Sequence, residues 1–256
     1  MTVSDLYRVI DSIAPFDTQA EFDNSGFLVG DPAQEVMTIL LALDVTPAVI
    51  DEAVACGAQL IITHHPLLFS PLRRMTEEDY EGRLIRRLTR ENISLISAHT
   101  NLDQAPGGIN DSLAEICGLT DVQGEGFFRC GSLSEPLTAY EYAGFLRERL
   151  GDSVRLMGPE DAVIRRVGLC SGGGSDEWTL AAGAGCDAFL SGEIKHHHAL
   201  AMAESGLVGL ECGHFATEFP GVSVLASALQ NALCAIQCNV RVFVSEAAAY
   251  AFPRKK

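Results

Sequence analysis

Positive charge is scarce in this sequence. Its 256 residues include 18 Lys and Arg against 34 Asp and Glu, which gives a formal net charge of −16 at pH 7. Proteins that bind nucleic acids or anionic membranes rely on basic side chains to replace counterions, so this balance disfavours both partners. A ligand that carries phosphate would need a local source of positive charge, and a metal ion is the simplest one.

Long apolar runs and closely paired cysteines are absent as well. No apolar run approaches the ~20 residues of a transmembrane helix, and no basic stretch followed by an apolar run indicates a secretory signal. None of the eight cysteines forms a Cys-x-x-Cys pair, and most of them lie in apolar stretches. Buried free thiols of a reducing compartment therefore explain them better than disulfides do. We expect a cytoplasmic protein without a membrane partner.

Short apolar runs alternate along the chain with segments of helical spacing. Hydrophobic residues make up 47% of the sequence, enough to bury a substantial core. The alternation predicts an α/β fold with a largely buried sheet in each half. The predicted strands are residues 38–43, 60–62, 93–97, 167–170, 188–190, 207–210 and 240–244.

The largest break in this pattern lies over residues 119–165, where three glycines cluster. We place the first domain boundary inside it, near residue 125. The helix and strand at the end of the chain are predicted to return to the first domain. The expected organisation is a first α/β domain of residues 1–125 and about 219–256, and a second α/β domain of residues 126–218.

The two halves of the chain resemble each other. Residues 57–65 align without a gap with residues 185–193, and in each half a later strand is followed by a histidine with a carboxylate four residues on. We interpret this as an internal duplication of a strand–helix–strand–helix unit, and chance similarity between α/β segments is the alternative. If the duplication holds, the polar clusters at the strand ends of two related domains can face each other across a cleft.

Histidines and carboxylates follow the predicted strands at the points where the strands end. The groups are His64 with His65, His99 with Asp103, and His214 with Glu218. In open α/β sheets, ligands bind beyond the carboxyl ends of the strands. Because adjacent residues of an extended chain point to opposite sides, His64 and His65 suit two neighbouring metal ions better than one. Asp103 supplies a hard oxygen ligand that can bridge two cations.

Each of these groups has a structural alternative when it is taken alone. The His64–His65 pair is compatible with a solvated loop, and Glu218, predicted near the start of a helix, is well placed to cap it. Together they are more specific, because two divalent ions ~3.5 Å apart need about five such ligands. Nitrogen and oxygen ligands without a thiolate suit Zn, Fe, Mn or Ni. The sequence thus predicts two divalent metal ions of one of these elements.

Five segments carry a family resemblance. They are residues 21–31, 62–67 (Ile-Thr-His-His-Pro-Leu), 97–103 (Ser-Ala-His-Thr-Asn-Leu-Asp), 191–197 (Ser-Gly-Glu-Ile-Lys-His-His) and 213–218 (Gly-His-Phe-Ala-Thr-Glu). In this order they resemble the signatures of the Nif-three-like dinuclear-metal family, whose members are often labelled GTP cyclohydrolase 1 type 2 homologues. Phe22 stands where the family usually has Trp and Phe27 where it usually has Leu, and these departures affect packing and no ligand.

The resemblance implies a set of site residues and an assembly. The residues that match the family's metal ligands are His64, His65, Asp103, His214 and Glu218. His99 matches a histidine near the site that is usually not counted as a ligand. The family is similar in having two α/β domains, and it commonly forms a toroidal homohexamer whose metal sites face an internal cavity.

The implied function is that of a dinuclear metal-dependent hydrolase that uses a metal-activated water on a nucleotide or a related small molecule. With GTP as substrate, hydroxide would attack C8 of the guanine imidazole ring and formate would leave, while His99 or Glu193 moves protons. A two-metal site suits phosphoester cleavage equally well. The rival hypothesis is a non-catalytic, metal-binding hexamer that delivers metal, senses metal or binds a partner.

Two further motifs keep alternative interpretations. The histidines at 196–198 are either a wall of the cavity, with one proton-transfer or substrate contact, or the polar start of a helix. The glycines at 172–174 follow a strand and precede a helix, so their backbone amides can cradle an anion. Their spacing fits neither a Walker loop nor a dinucleotide fingerprint, which favours a simple turn.

Overall fold

The computed structural model describes residues 1–247, and these residues form two compact units. The first unit contains Met1–Ala105 and the described chain from Val222 onward, and the second contains Pro106–Gly221. The predicted first domain extends to residue 256, and its last residues, 248–256, lie outside the described residues.

A five-stranded sheet forms the centre of the first unit. Its strands are β1 (Gly26–Val29), β2 (Thr38–Ala42), β3 (Leu60–Thr63), β4 (Ser94–Ser97) and β11 (Arg241–Val244). The helices of Met1–Ala105 are α1 (Val3–Ile13), α2 (Pro47–Cys56), α3 (Tyr80–Arg90) and α4 (Thr100–Gln104). The strand order is β1-β4-β3-β2-β11, in which β1 is antiparallel to β4 and the other pairs are parallel. Every residue of β2, β3 and β4 is buried, as expected for parallel strands covered on both faces.

A six-stranded sheet forms the centre of the second unit. Its strands are β5 (Leu119–Gln123), β6 (Arg129–Thr138), β7 (Arg155–Met157), β8 (Val163–Cys170), β9 (Ala188–Ser191) and β10 (Val208–Glu211). The helices are α5 (Ile109–Ile116), α6 (Ala139–Leu150), α7 (Trp178–Gly183), α8 (His196–Glu204) and the start of α9 (His214–Ala235). The strand order is β5-β6-β8-β9-β10-β7, with β8, β9 and β10 parallel and the remaining pairs antiparallel.

The first boundary between the units lies earlier in the chain than the predicted position near residue 125. It follows Ala105, because α5 packs on β5, β6 and β8 of the second sheet. Leu113 and Ala114 of α5 lie in the same buried cluster as Val167 and Leu169 of β8. The segment 106–125 therefore belongs with the strands that follow it.

The two sheets share one arrangement of strands. Each contains three parallel strands, β2-β3-β4 in the first and β8-β9-β10 in the second, with an antiparallel edge strand beside the last of them. The edge strands β1 and β7 both precede their three parallel strands in the chain. Within the aligned segments 57–65 and 185–193, β3 and β9 occupy matching positions. The fold is thus a mixed α/β fold with two sheets, and the internal duplication stays a prediction.

Local sequence signals explain where the helices begin and end. The Thr46 hydroxyl accepts a hydrogen bond from the Val49 N–H, and Pro47 occupies the first turn of α2, where a missing N–H is harmless. Gly57 ends α2 at φ 67°, a left-handed conformation that glycine adopts without steric cost. Glycine at 185 has φ 69° directly before the matching strand of the second unit. Both strands therefore start from a comparable turn.

The cysteines and the helix lengths bear on two expectations from the sequence. All eight cysteines are free thiols, and half of them are buried. Across residues 1–247, every helix is too short or too polar to cross a membrane.

Candidate metal centre

Three histidines gather in the first unit at the carboxyl ends of two neighbouring strands. His64 and His65 directly follow β3, and His99 follows β4. The ring centroids are 5.0 Å apart for His64 and His65, 5.0 Å for His64 and His99, and 5.6 Å for His65 and His99. One ring nitrogen of each histidine lies within 4.8 Å of the others. Such a group can hold a metal ion.

The orientation of His64 follows from a backbone hydrogen bond. Its Nδ1 lies 2.9 Å from the Ala98 carbonyl oxygen. Because a carbonyl oxygen can only accept, Nδ1 carries the hydrogen, and Nε2 of the neutral ring keeps its lone pair. The His64 side chain is buried, so contacts within the protein, rather than solvent, fix the orientation of the ring and of this lone pair.

Carboxylates hold the other two imidazoles in the same manner. His65 donates from Nδ1 to Oδ1 of Asp44 at 2.7 Å, and His99 donates from Nδ1 to Oδ1 of Asp23 at 2.8 Å. Metal-ligating histidines characteristically donate their second ring N–H to a carboxylate or a backbone carbonyl, which fixes the tautomer. All three histidines of the cluster meet this condition.

Asp23 is a buried carboxylate that several hydrogen bonds stabilise. Its side chain is fully buried, and it accepts hydrogen bonds from His99, Thr100 and Ser25. Burial opposes ionisation, but these hydrogen bonds outweigh it and hold the pKa of Asp23 well below its usual range. The carboxylate is therefore ionised at neutral pH.

Asp103 lies on α4, the short helix after β4. Its Oδ1 is 3.6 Å from Nε2 of His64, and the residue is buried. A carboxylate oxygen therefore stands beside Nε2, the His64 nitrogen on the opposite side of the ring from the Ala98 carbonyl. In the first unit, the structure thus brings together four of the residues that the strand-end pattern selected.

The second unit holds a smaller group at the start of α9. His214 and Glu218 lie one turn apart, with Nε2 of His214 3.1 Å from Oε2 of Glu218. The structural alternative for Glu218 was a capping role near a helix start. This alternative is wrong, because α9 begins at His214 and places Glu218 in its second turn. The spacing of four residues directs both side chains to one face of the helix.

Glu193 supports this group. Its Oε1 lies 3.1 Å from Nδ1 of His214, so it holds the imidazole as Asp44 holds His65. The Glu193 side chain is 66% exposed, and its contact with His214 is direct. The predicted proton-transfer residue of the second unit therefore also fixes a candidate ligand.

The glycine turn after β8 is more than a flexible connection. Gly172 has φ +54°, and a Cβ added there would overlap Oε1 of Glu218 and come within 3.1 Å of Nε2 of His214. Its N–H donates to the Thr217 hydroxyl at 3.1 Å. Sequence reasoning missed Gly172 as a residue that shapes the site, because its spacing matched no known loop.

The histidine run begins a helix. The residues at 196–198 form the first turn of α8, and His198 contacts the Ser175 hydroxyl at 3.0 Å through Nδ1. Burial lowers the pKa of His198. The polar helix start, one of the two interpretations above, describes these residues.

The chemistry of the donor atoms fits a divalent transition metal. Each cluster offers imidazole nitrogen and carboxylate oxygen without a thiolate, a combination that suits Zn, Fe, Mn or Ni. A histidine that ligates a metal through Nε2 needs an acceptor for the hydrogen on Nδ1. Here a backbone carbonyl and three carboxylates provide these acceptors. The described residues therefore contain histidine and carboxylate clusters able to hold a metal ion.

These features define the class: an α/β protein with two mixed sheets and candidate metal-ligating clusters beyond the strand ends. A family model described as Duf34/NIF3 (NGG1p interacting factor 3) matches residues 1–249. The chain belongs to this family, and the resemblance predicted from the five segments is confirmed.

Curated relatives and a solved structure agree with this assignment. The chain is 34% identical over 257 residues to the GTP cyclohydrolase 1 type 2 homolog of Clostridium acetobutylicum, with 96% of each chain covered. It is 37% identical over 230 residues to the protein of the same name from Clostridium perfringens, with 86% of this chain and 88% of the relative covered. The crystal structure of Staphylococcus aureus protein SA1388 is similar over 100% of this chain and 99% of its own, with a TM-score of 0.95 and 27% identity.

Proposed function

We propose that this protein is a dinuclear metal-dependent hydrolase that acts on a nucleotide or a related small molecule. The proposed ligands are His64, His65, Asp103, His214 and Glu218, which would jointly hold two divalent ions of Zn, Fe, Mn or Ni. The observation that carries the proposal is the histidine cluster, in which every Nδ1 is held by an acceptor. Rings fixed in this way present Nε2 without further reorganisation, as a metal site requires.

Bound divalent ions would acidify a water toward a pKa of ~7 and stabilise developing negative charge. His99 lies beside the proposed ligands His64 and His65 and is held by the buried Asp23. Asp23 keeps the hydrogen of the neutral ring on Nδ1, so His99 can take a proton from water at Nε2 and return it to a leaving nitrogen. Besides the proton transfer expected of it, Glu193 orients the imidazole of His214.

GTP is the substrate that the names of the relatives suggest. Loss of C8 as formate consumes two waters. The first forms a C8–O bond and breaks the C8–N9 bond, with a proton delivered to N9. The second hydrolyses the resulting formamide to formate and an amine. Both steps need one group that alternates between proton acceptor and proton donor, the task proposed for His99.

The test combines metal analysis with turnover. The purified protein, loaded with each of the four metals in turn, should bind metal stoichiometrically and release formate from GTP. His64→Ala should lose both properties while circular dichroism shows an intact fold. Stoichiometric metal without turnover on GTP, on other nucleotides and on phosphoesters would support the rival function, a non-catalytic protein for metal delivery, sensing or partner binding.

We also propose a cytoplasmic homohexamer with a small-molecule substrate and with neither nucleic acid nor membrane as partner. The family resemblance supports the assembly, and the net charge of −16 disfavours polyanionic partners. Light scattering coupled to size-exclusion chromatography tests the assembly directly, and a mass other than six chains would contradict it.

A further inference from the structure

We propose that the first unit binds the planar base of a nucleotide in an apolar cavity beside His99, with Phe69 as the stacking surface and Arg73 as the phosphate contact. This inference rests on the proposed function, because it assigns a substrate class and a binding position to the same site. It adds residues to which neither the motifs nor the relatives give a role.

Two large aromatic side chains stand in solvent next to the histidine cluster. Phe22 is 66% exposed and Phe69 is 49% exposed. Their ring centroids are 6.4 Å apart with an interplanar angle of 62°, an edge-to-face contact. Exposed phenyl rings gain nothing from water, and a pair held in contact at the surface is typical of a binding site.

Phe69 connects this pair to the histidines. Its ring centroid lies 6.1 Å from that of His99, with the two planes at 83°. Because Phe69 is half exposed, a base that stacks on it would lie next to the His99 ring. Base–aromatic stacking depends on ring faces, so it holds a heteroaromatic ring better than an aliphatic group of equal size.

Phe69 also lines a cavity of about 580 Å³. Its volume falls within the range of small-molecule sites, ~300–1,000 Å³. The apolar walls are formed by Leu28, Leu68, Phe69, Leu72, Met75 and Ile85. Asp23 and Asn24 stand at the same cavity, so one segment of chain both lines the cavity and, through Asp23, holds His99.

Asn24 provides a polar group for the edge of a base. Its amide Nδ2 donates to the Leu68 carbonyl, which ties the segment around Asn24 to the loop that carries Phe69. The amide orientation that this bond fixes directs Oδ1 away as an acceptor. A ring with N–H groups on its edge, as guanine has, can donate to it.

Arg73 supplies the local positive charge that a phosphate requires. It lines a second cavity of about 300 Å³, which shares residues 68–72 with the first and is also lined by Asp79 and Glu81. Its neighbour Arg74 is paired with Asp79 at 3.6 Å, whereas Arg73 has no ion pair among residues 1–247. In a chain of net charge −16, an unpaired arginine beside an apolar cavity is an attractive point for a nucleotide phosphate.

The experiment measures the binding of guanosine and of GTP to the full-length, metal-loaded protein by isothermal calorimetry. Phe69→Leu keeps apolar volume and removes the aromatic face, so both ligands should bind about tenfold more weakly. Arg73→Ala should weaken GTP about tenfold and leave guanosine unchanged. Phe243→Leu is the matched control, because Phe243 is a 43% exposed ring of the same unit outside both cavities, and it should change neither.

Metal content and assembly size are measured on the same samples. Retained metal in Phe69→Leu with weakened binding of both ligands supports the inference. Equal affinity of Phe69→Leu and the unchanged protein overturns it, even if GTP is still hydrolysed. Failure of the unchanged protein to bind either ligand also overturns it, and the proposed function is then judged on metal content and on turnover of other substrates. A smaller assembly in Phe69→Leu with unchanged ligand affinity would show that a second copy covers the phenyl pair, and would overturn it too.

Discussion

Asp23 accepts a hydrogen bond from Nδ1 of His99 at 2.8 Å across 76 positions of sequence. The same carboxylate accepts from the hydroxyls of Thr100 and Ser25. A single buried charge thus fixes the position of the histidine nearest to the candidate ligands and joins the segment before β1 to the one after β4. Several consequences of this and related contacts can be measured.

Replacing Asp23 by asparagine should destabilise the protein. One side of an amide donates, so Asp23→Asn must present a donor either to Nδ1–H of His99 or to the Thr100 N–H, and neither of these groups can accept it. We expect a loss of about 1–3 kcal/mol in the free energy of unfolding, measured in urea. Metal content should stay near that of the unchanged protein, because the proposed ligands remain. Asp17→Asn, at an exposed position of the same unit, is the control, and equal stability of the two variants would contradict the prediction.

Removing the carboxylate behind His65 should weaken metal binding without unfolding the protein. Asp44 holds Nδ1 of His65 at 2.7 Å, and loss of such an outer partner typically costs 10–100-fold in metal affinity. Asp44→Ala is therefore expected to fall in this range in competition with a chromophoric chelator. Asp51→Ala removes an exposed carboxylate that pairs with Arg87 and should leave the affinity unchanged. Equal metal affinity of the two variants would contradict the prediction that Asp44 orients His65 for metal binding.

Two neighbouring glycines should differ sharply in their tolerance of a methyl group. Gly172 has a left-handed φ and faces Glu218 and His214, whereas a Cβ at Gly173 would meet nothing within 4 Å. Gly172→Ala should lower the free energy of unfolding by more than about 1 kcal/mol and reduce metal content. Gly173→Ala should do neither. Urea unfolding and metal analysis of the two variants test this prediction. Equal stability and equal metal content would show that the close approach of Gly172 to Glu218 and His214 is unimportant.

Glu52 should make stability depend on pH in the acid range. Burial raises the pKa of Glu52, but hydrogen bonds from the Ser245 hydroxyl and the N–H groups of Glu246 and Ala247 outweigh it, so the pKa is lowered. A carboxyl group with a depressed pKa in the folded state contributes stability above its unfolded pKa of ~4.3, and this contribution is lost as the pH falls through the folded value.

The comparison with Glu52→Gln tests this. The unchanged protein should be more stable than the variant at pH 6–8, by less than about 1 kcal/mol because the half-buried Glu52 carboxylate is still partly screened by solvent. The difference should shrink below ~pH 4 and vanish at the acid end of the titration. Urea unfolding at four pH values is sufficient. A difference that stays constant with pH would remove the assigned role from the Glu52 carboxylate.

The parallel centres of both sheets could be predicted from the sequence, and their antiparallel edges could not. The apolar runs behind β3 and β9 are buried at every position, so their composition alone indicates a strand. In contrast, β5 is exposed at four of its five positions and β7 has no buried residue. Edge strands of this kind lack a continuous apolar run, and pairing with a neighbour defines them instead.

A similar division applies to the candidate site. His64, His65 and His99 were visible because each follows an apolar strand. Their hydrogen-bond partners were not, since Asp23 and Asp44 lie far from them in the chain and are chosen by tertiary structure. Asp44 did carry a weak signal, a carboxylate at the end of an apolar run. The extent of α9 was underestimated, because its start was predicted near Glu218 and the helix already begins at His214.

The pairing of β11 with β2 has a consequence for how the protein is made. Residues 241–244 align with residues 38–41, and the whole of Pro106–Gly221 lies between them in the chain. A ribosome must therefore release the entire second unit before the first sheet receives its final strand. Until then, the unpaired backbone N–H and C=O groups along the edge of β2 are open to wrong partners. During synthesis, the later-made half has the opportunity to fold first, and the earlier-made half must wait.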